Sequence, residues 1–201
     1  MRYTIPRELL AAVALAASTE DTRYYLQGVF VEIGLKSVTL TATNGHILLT
    51  ARHAPNNANN DPASPIIIPS ATIALALKDK ATTIDLFIDG NAFKLGNISF
   101  TPIDGTFPDY RRVIPKAVPE TRSIEGVWFN SLYLATMAKA AKLIGAPSSP
   151  YGGNGYNIYP DKGNAALVRF NGAENIVGVV MPLRAPVSGF TLPDWVHNNP
   201  E

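Results

Sequence analysis

Apolar and polar positions along the chain fall into a unit that recurs three times. In the first unit YTIPRELLAAVALAAS is followed by GVFVEI, SVTLTAT and HILLTAR. The second gives IIIPSATIALALKD, then TIDLFID, AFKL and NISFTP, and the third gives VWFNSLYLATMAKAAKLI, then YNIYP, ALVRF and IVGVVMPL. Each unit opens on an extended apolar run, continues with helical spacing, and ends in three segments of alternating character, so each predicts strand, helix and three strands. The helix starts fall near Arg7, Ser70 and Ser131, 63 and then 61 residues apart. Self-similarity at this period makes the chain a repeat of β-α-β-β-β units, an α+β fold with short helices under antiparallel sheets. Helices of about 11 to 14 residues span only ~16 to 21 Å, and their alanine-rich surfaces allow a close approach to a sheet.

Residues at the element ends agree. Ser70 follows Pro69 and Asn130 precedes Ser131, which places side-chain oxygens where free amides need partners. Lys78, Lys80, Lys139 and Lys142 sit toward the C-terminal ends of the second and third helices, where the helix dipole favours cations. HAPNNANNDPASP, from His53 to Pro65, and SSPYGGNGY after the third helix read as loops. Asn44-Gly45 in TATNGHILLT predicts a hairpin turn of type I′, with both residues at positive φ. In TRYYLQGVFVE an extended backbone would send Tyr24 and Tyr25 to opposite faces, one to the core and one to the surface. VVMPLR reads as the end of an edge strand, stopped by Pro182.

Composition narrows the function. A chain of 201 residues with 46% hydrophobic content has the material for a substantial core, as one or two compact domains. The absence of cysteine excludes disulfides, thiolate metal sites and cysteine nucleophiles, and is compatible with the cytoplasm. No charged leader precedes an apolar core, and no apolar run approaches the roughly 20 residues of a membrane span, so a cytoplasmic protein without a membrane partner is expected. A net charge of +1 lacks the overall basicity of a protein that grips nucleic acid along a whole face. Asp104, Asp109, His46 and His53 are available as acids or bases, but their spacing indicates no convergence, and no phosphate loop, HExxH pair or GxSxG elbow is present. Neither a catalytic residue, a metal site nor a cofactor is expected.

The densest chemistry lies in GTFPDYRRVIP, Gly105 to Pro115, which places two aromatics, two prolines and paired arginines on one connection. Together RYYLQGV, TNGHILL, FPDYRRVIP and VVMPLRA resemble, in order, the RxYLNGV, TDGHRL, FPDYRRVLP and VVMPMRL segments of the bacterial DNA polymerase III β subunit, the β sliding clamp family. In the junction motif the only change is Ile114. The resemblance implies the DNA clamp fold and a replication processivity factor: an accessory that encircles or contacts double-stranded DNA without reading sequence, and does no chemistry itself. It also implies an apolar cleft where a DNA polymerase or other clamp-binding peptide docks. Carried over residue by residue, that cleft comprises Leu26, Thr43, Gly45, His46, Leu48, Pro108, Arg112, Val113, Met181, Pro182 and Leu183. The DNA-contacting set is Arg7, Arg23, Tyr24, Tyr25, Lys78, Lys80, Lys139 and Lys142. The cations on the helices, Arg7 and the four lysines, face only Glu8 and Asp79, so a strongly basic lining requires multiplication by symmetry.

The chain departs from the family in its repeat count. The family has three domains of two repeats and closes a ring of twelve as a dimer, whereas this chain carries three repeats: a complete clamp-like domain over 1–116, a half domain over 117–186, and a tail over 187–201. A lone repeat leaves its helix and sheet edge uncovered, so self-association is expected, with a tetramer of twelve repeats preferred to a dimer that completes the half domain by twofold symmetry. Ile47 replaces the family's usual arginine, and Phe190, Leu192 and Trp195 in the tail either occlude the cleft or pack on the protein's own sheet or a neighbouring subunit. The competing function is a client-binding module or clamp decoy that does not encircle DNA.

Overall fold

The first repeat builds β1 (Arg2–Pro6), α1 (Arg7–Ala14), β2 (Gly28–Ile33), β3 (Val38–Thr43) and β4 (Ile47–His53). The second builds β5 (Ala63–Pro69), α2 (Ser70–Ala76), β6 (Thr83–Asp89), β7 (Ala92–Leu95) and β8 (Ile98–Phe100). The third builds α3 (Ser131–Leu143), β9 (Tyr156–Asp161), β10 (Asn164–Phe170) and β11 (Ala173–Val180). This is a computed structural model, and it describes residues 1–54, 63–118, 127–147, 155–161 and 164–184. Most of the connector after His53, most of the glycine-rich loop after α3, and the tail with Phe190, Leu192 and Trp195 lie outside the described residues.

All three helices start where the pattern places them. Pro6 and Pro69 close their strands with φ of −59° and pass directly into helix, since proline's fixed φ suits that transition and its missing N–H needs no partner. Asn130 caps α3, its side chain accepting the N–H of Leu132 at 2.9 Å. Ser70 does not cap: its hydroxyl donates to the Gln27 carbonyl at 2.8 Å, which pins α2 to the start of β2. α1 and α2 are also shorter than expected, at 8 and 7 residues. The leading strand of the third repeat reduces to a single bridge, Trp128 with Leu183.

The strands form two antiparallel sheets, ordered β1-β6-β7-β8 and β5-β2-β3-β4-β11-β10-β9. The first strands of repeats one and two are exchanged: β1 pairs with β6, and β5 pairs with β2. β11 then joins β4 from Ile47↔Val180 to Ala51↔Ile176, so strands from both sides of the junction motif share one seven-stranded sheet.

Helices cover one face of these sheets. Leu9, Leu10, Ala11, Ala12 and Val13 are all buried, because α1 lies between sheet strands and the other two helices. The main core unites Leu10, Val29, Leu40, Leu49, Ile73, Leu86, Met137 and Ile176. Full burial of a side chain such as Leu10 is worth about 1.5–3 kcal/mol. A second apolar cluster, on Leu26, Leu48, Ile67, Phe107, Tyr110 and Val179, forms where the 101–115 connector crosses the opposite face of the large sheet.

Candidate functional site

Three local structures meet on that second cluster. The first is the turn between β3 and β4. The Asn44 side-chain oxygen accepts the N–H groups of His46 and Ile47, both at 2.9 Å, while the Thr43 hydroxyl donates to the Ile47 carbonyl at 2.6 Å and accepts the Gly45 N–H at 3.1 Å. Only Gly45 takes a positive φ, +89°, so the turn is not the expected type I′: the side chain of Asn44 organises it instead. Glycine is favoured here by that φ; a Cβ would also lie 2.5 Å from the Arg23 guanidinium, the mobile end of a long side chain that would have to move aside.

The second is the segment Asp21–Leu26, which forms a 3-10 helix rather than the extended backbone expected. Its short turns leave Tyr24 exposed and Tyr25 half-buried, the two rings edge to face at 5.7 Å. Arg23 donates from Nε and Nη2 to Glu20 at 3.0 and 2.7 Å, and from Nη1 to the Asn44 carbonyl at 3.3 Å.

The third is the junction motif. Phe107 stacks on Phe30 with centroids 4.7 Å apart. The Tyr110 hydroxyl donates to Glu32 Oε2 at 2.7 Å, and Arg111 Nη2 reaches both oxygens of the same carboxylate at 2.8 and 3.0 Å while lying 4.6 Å over the Tyr110 ring. Burial, reinforced by the bond to Glu32, pushes the Tyr110 phenol above its ordinary range. Gly105 admits a close crossing over the 3-10 segment: a Cβ there would sit 2.8 Å from that of Tyr25. The distinctive residues of this connection are therefore mostly anchors.

Between these parts lies an apolar cleft of ≈ 290 Å³. Leu48 and Val179, direct partners across the β4–β11 seam, belong to its lining, as do Leu26, Pro108, Val113, Met181, Thr43, Gly45 and His46. Three expected cleft residues stand apart. Arg112 opens into a neighbouring hollow that shares Val113 and Met181, and Pro182 and Leu183 lie outside the lining, Leu183 being paired with Trp128. The lining adds Arg23, Tyr25, Ile47, Asp109, Tyr110 and Val179. Strand periodicity from Met181 back to Val179 would have found the last of these. His46 stacks on Tyr133 of α3, with centroids at 5.6 Å and planes 14° apart.

The cationic candidates divide. Arg7 donates to the carbonyls of Asp79 and Leu77 at 2.9 and 2.7 Å, which caps the C-terminal end of α2, and Arg23 is held by Glu20. Lys78, Lys80, Lys139 and Lys142 are exposed. Among the described residues no group of three His, Asp or Glu side chains is placed to hold a metal ion, and no helix is long and apolar enough to cross a membrane.

Repeated β-α-β-β-β units with exchanged first strands and helices on one side of antiparallel sheets define the DNA clamp fold. Residues 4–109 match the family described as DNA polymerase III beta subunit, central domain, and the chain belongs to that family. It is 39% identical over 120 residues to the beta sliding clamp of Caulobacter vibrioides, a match covering 54% of this chain and 32% of the relative. Against the beta sliding clamp of Pseudomonas putida the identity is 30% over 118 residues, covering 55% and 32%. The chain thus matches about a third of the length of these curated relatives. In three dimensions the likeness extends further: a sliding clamp from Bartonella birtlesii, solved bound to griselimycin, superposes with a TM-score of 0.70 at 23% identity over 92% of this chain and 66% of its own. The DNA polymerase III subunit beta from Pseudomonas aeruginosa gives 0.70 at 19%, with the same coverage.

Proposed function

We propose that this chain is a sliding-clamp accessory of DNA replication, which docks a DNA polymerase or another client through a short peptide laid in the cleft. The observation that supports this most strongly is the pairing of Leu48 with Val179: it makes one apolar groove out of two repeats that are distant in sequence, and Pro108 and Val113 of the junction motif wall it. Such a groove suits a short peptide with a leucine or aromatic anchor, held in place by a few polar groups at the rim. A labelled peptide carrying one Leu and one Phe as its large apolar residues tests it by fluorescence anisotropy. Val113→Asp and Met181→Asp, at positions 46% and 38% exposed, should leave the melting temperature unchanged and weaken binding at least about tenfold. Equal affinity of the variants and the parent protein would overturn the reading.

Within the same proposal, Lys78, Lys80, Lys139 and Lys142 contact duplex phosphates irrespective of sequence, in a cytoplasmic assembly where four chains supply twelve repeats. A specific observation favours the alternative, a client-binding module or decoy that does not encircle DNA: Arg7 and Arg23 are engaged with protein partners, which leaves four lysines as the exposed cations of the set. Retention on nicked circular duplex but not on the same duplex made linear is the result expected of encirclement. Equal loss from both forms decides for the decoy.

A further inference from the structure

Aligned on their helix starts, the three repeats match without gaps from the leading strand into the helix, and equivalent residues there occupy unequal surroundings. Ile5, Ile68 and Phe129 each stand two residues before a helix, and Tyr3, Ile66 and Val127 stand four before. In the first two repeats these residues lie on strands that cross to the other repeat, pairing Ile5 with Ile84 and Tyr3 with Leu86, and Ile68 with Val29 and Ile66 with Val31.

The third repeat keeps one side of that arrangement. Leu183 donates its N–H to the Trp128 carbonyl at 2.7 Å, which reproduces the bond from Ile103 to the Ile67 carbonyl at 3.0 Å. Trp128 and Ile67 both lie three residues before a helix, and Leu183 and Ile103 both lie three residues after the last strand of their repeat. Residues 127–130 therefore occupy the place of β5. But β5 also has β2 on its other flank, and among the described residues 127–130 have no such neighbour. Nor does β9, which ends its sheet, whereas β2 and β6 each carry a crossing strand on that edge. The helix shows the same deficit. Leu10 and Ile73 are fully buried, and Leu9 and Thr72 are buried beside them, while their equivalents Leu134 and Tyr133 are only half-buried.

One repeat thus presents both halves of an exchange, a strand segment without an edge and an edge without a strand. An unrelated partner has to supply both at the right spacing, whereas a second copy of this chain supplies them by symmetry alone. We propose that two copies pair through their third repeats about a twofold axis, residues 127–130 of each adding to the outer edge of β9 in the other. By the register of the complete pair of repeats, Phe129 faces the partner's Tyr156 and Val127 faces the partner's Ile158. The product is six repeats in a row, and two such dimers contain the twelve of the expected tetramer.

The chain has no cysteine, so crosslinking tests this without background. Paired residues of antiparallel strands have Cα atoms roughly 4.5–5.5 Å apart, within disulfide range. The double variant Val127→Cys, Ile158→Cys should oxidise to a covalent dimer on a non-reducing gel, and neither single variant should. Light scattering on the unmodified full chain should give a mass of two or four chains across a concentration series. A folded double variant that runs as a single chain, or an unmodified chain that is monomeric at every concentration, overturns the proposal, including the case where the chain's own C-terminal segment fills the edge. Peptide binding by the same preparations reports separately on the cleft, so the two readings fail independently.

Discussion

The imidazole of His46 lies parallel to the phenol ring of Tyr133, 5.6 Å away, joining the β3–β4 turn of the first repeat to the helix of the third. The His46 carbonyl also accepts the Met181 N–H at 2.8 Å, so one exposed residue fixes both the helix and the chain leaving β11 relative to the cleft. A double-mutant cycle with His46→Ala and Tyr133→Ala should return a coupling of about 0.5–1.5 kcal/mol in urea unfolding, the range of stacked aromatic pairs. Peptide affinity should fall in Tyr133→Ala although Tyr133 is not part of the cleft lining. Strict additivity of the two changes would mean that the rings are neighbours without energetic consequence.

Glu32 is the shared acceptor for Tyr110 and Arg111, and this predicts an order of effects. Glu32→Ala leaves the Tyr110 hydroxyl and the Arg111 guanidinium without their shared acceptor and should cost about 1–2 kcal/mol. Tyr110→Phe should cost about 1 kcal/mol, and Arg111→Ala less, since its guanidinium is 61% exposed and screened by solvent. Denaturant midpoints of the three variants give the order directly.

Gly105→Ala places a methyl 2.8 Å from the Tyr25 Cβ and should cost about 1–3 kcal/mol, with a matching loss of peptide affinity as the cleft wall moves. Gly34→Ala is the control. Its new methyl meets nothing closer than 3.6 Å, and its melting temperature should stay near that of the parent.

Burial lowers the pKa of His53, against the opposing pull of Glu8. The fold therefore prefers the neutral imidazole: its contribution is complete above the ordinary histidine value of about 6.5 and is lost as pH falls through the depressed value. Melting temperature should drop between pH 7.5 and 5. His53→Asn should flatten that drop and Glu8→Gln should steepen it; identical slopes in all three proteins would remove His53 from the account.

Periodicity made the repeats legible because each helix and strand buries one face of its own residues, and Arg7, Ser70 and Ser131 stand where that pattern changes. Periodicity does not say which neighbour a buried face meets, so the exchange of β1 and β5 and the joining of β4 to β11 came only with the structure. The cleft was read through motif resemblance, which identified Leu26, Leu48, Val113 and Met181 but passed over Asp109 and Tyr110 within the motif itself. Arg7 and Arg23 both belong to the DNA-contacting set that the resemblance implies, because sequence shows charge and not its partners: the carbonyls of Leu77 and Asp79 for one, Glu20 for the other. Tyr133 carries no local sign of its role at all, since His46 reaches it only after the whole fold closes.

The seam between β4 and β11 sets an order of events during synthesis. Leu48 leaves the ribosome well before Val179, so the floor of the cleft is incomplete until β11 has emerged and its long-range pairing with β4 has formed. A chain that stops short of β11 carries the turn, the 3-10 segment and the junction motif, yet offers a peptide only the Leu48 half of the floor. On the proposed function, peptide docking is thereby tied to synthesis through β11, and chains that stop short of it do not compete for the peptide.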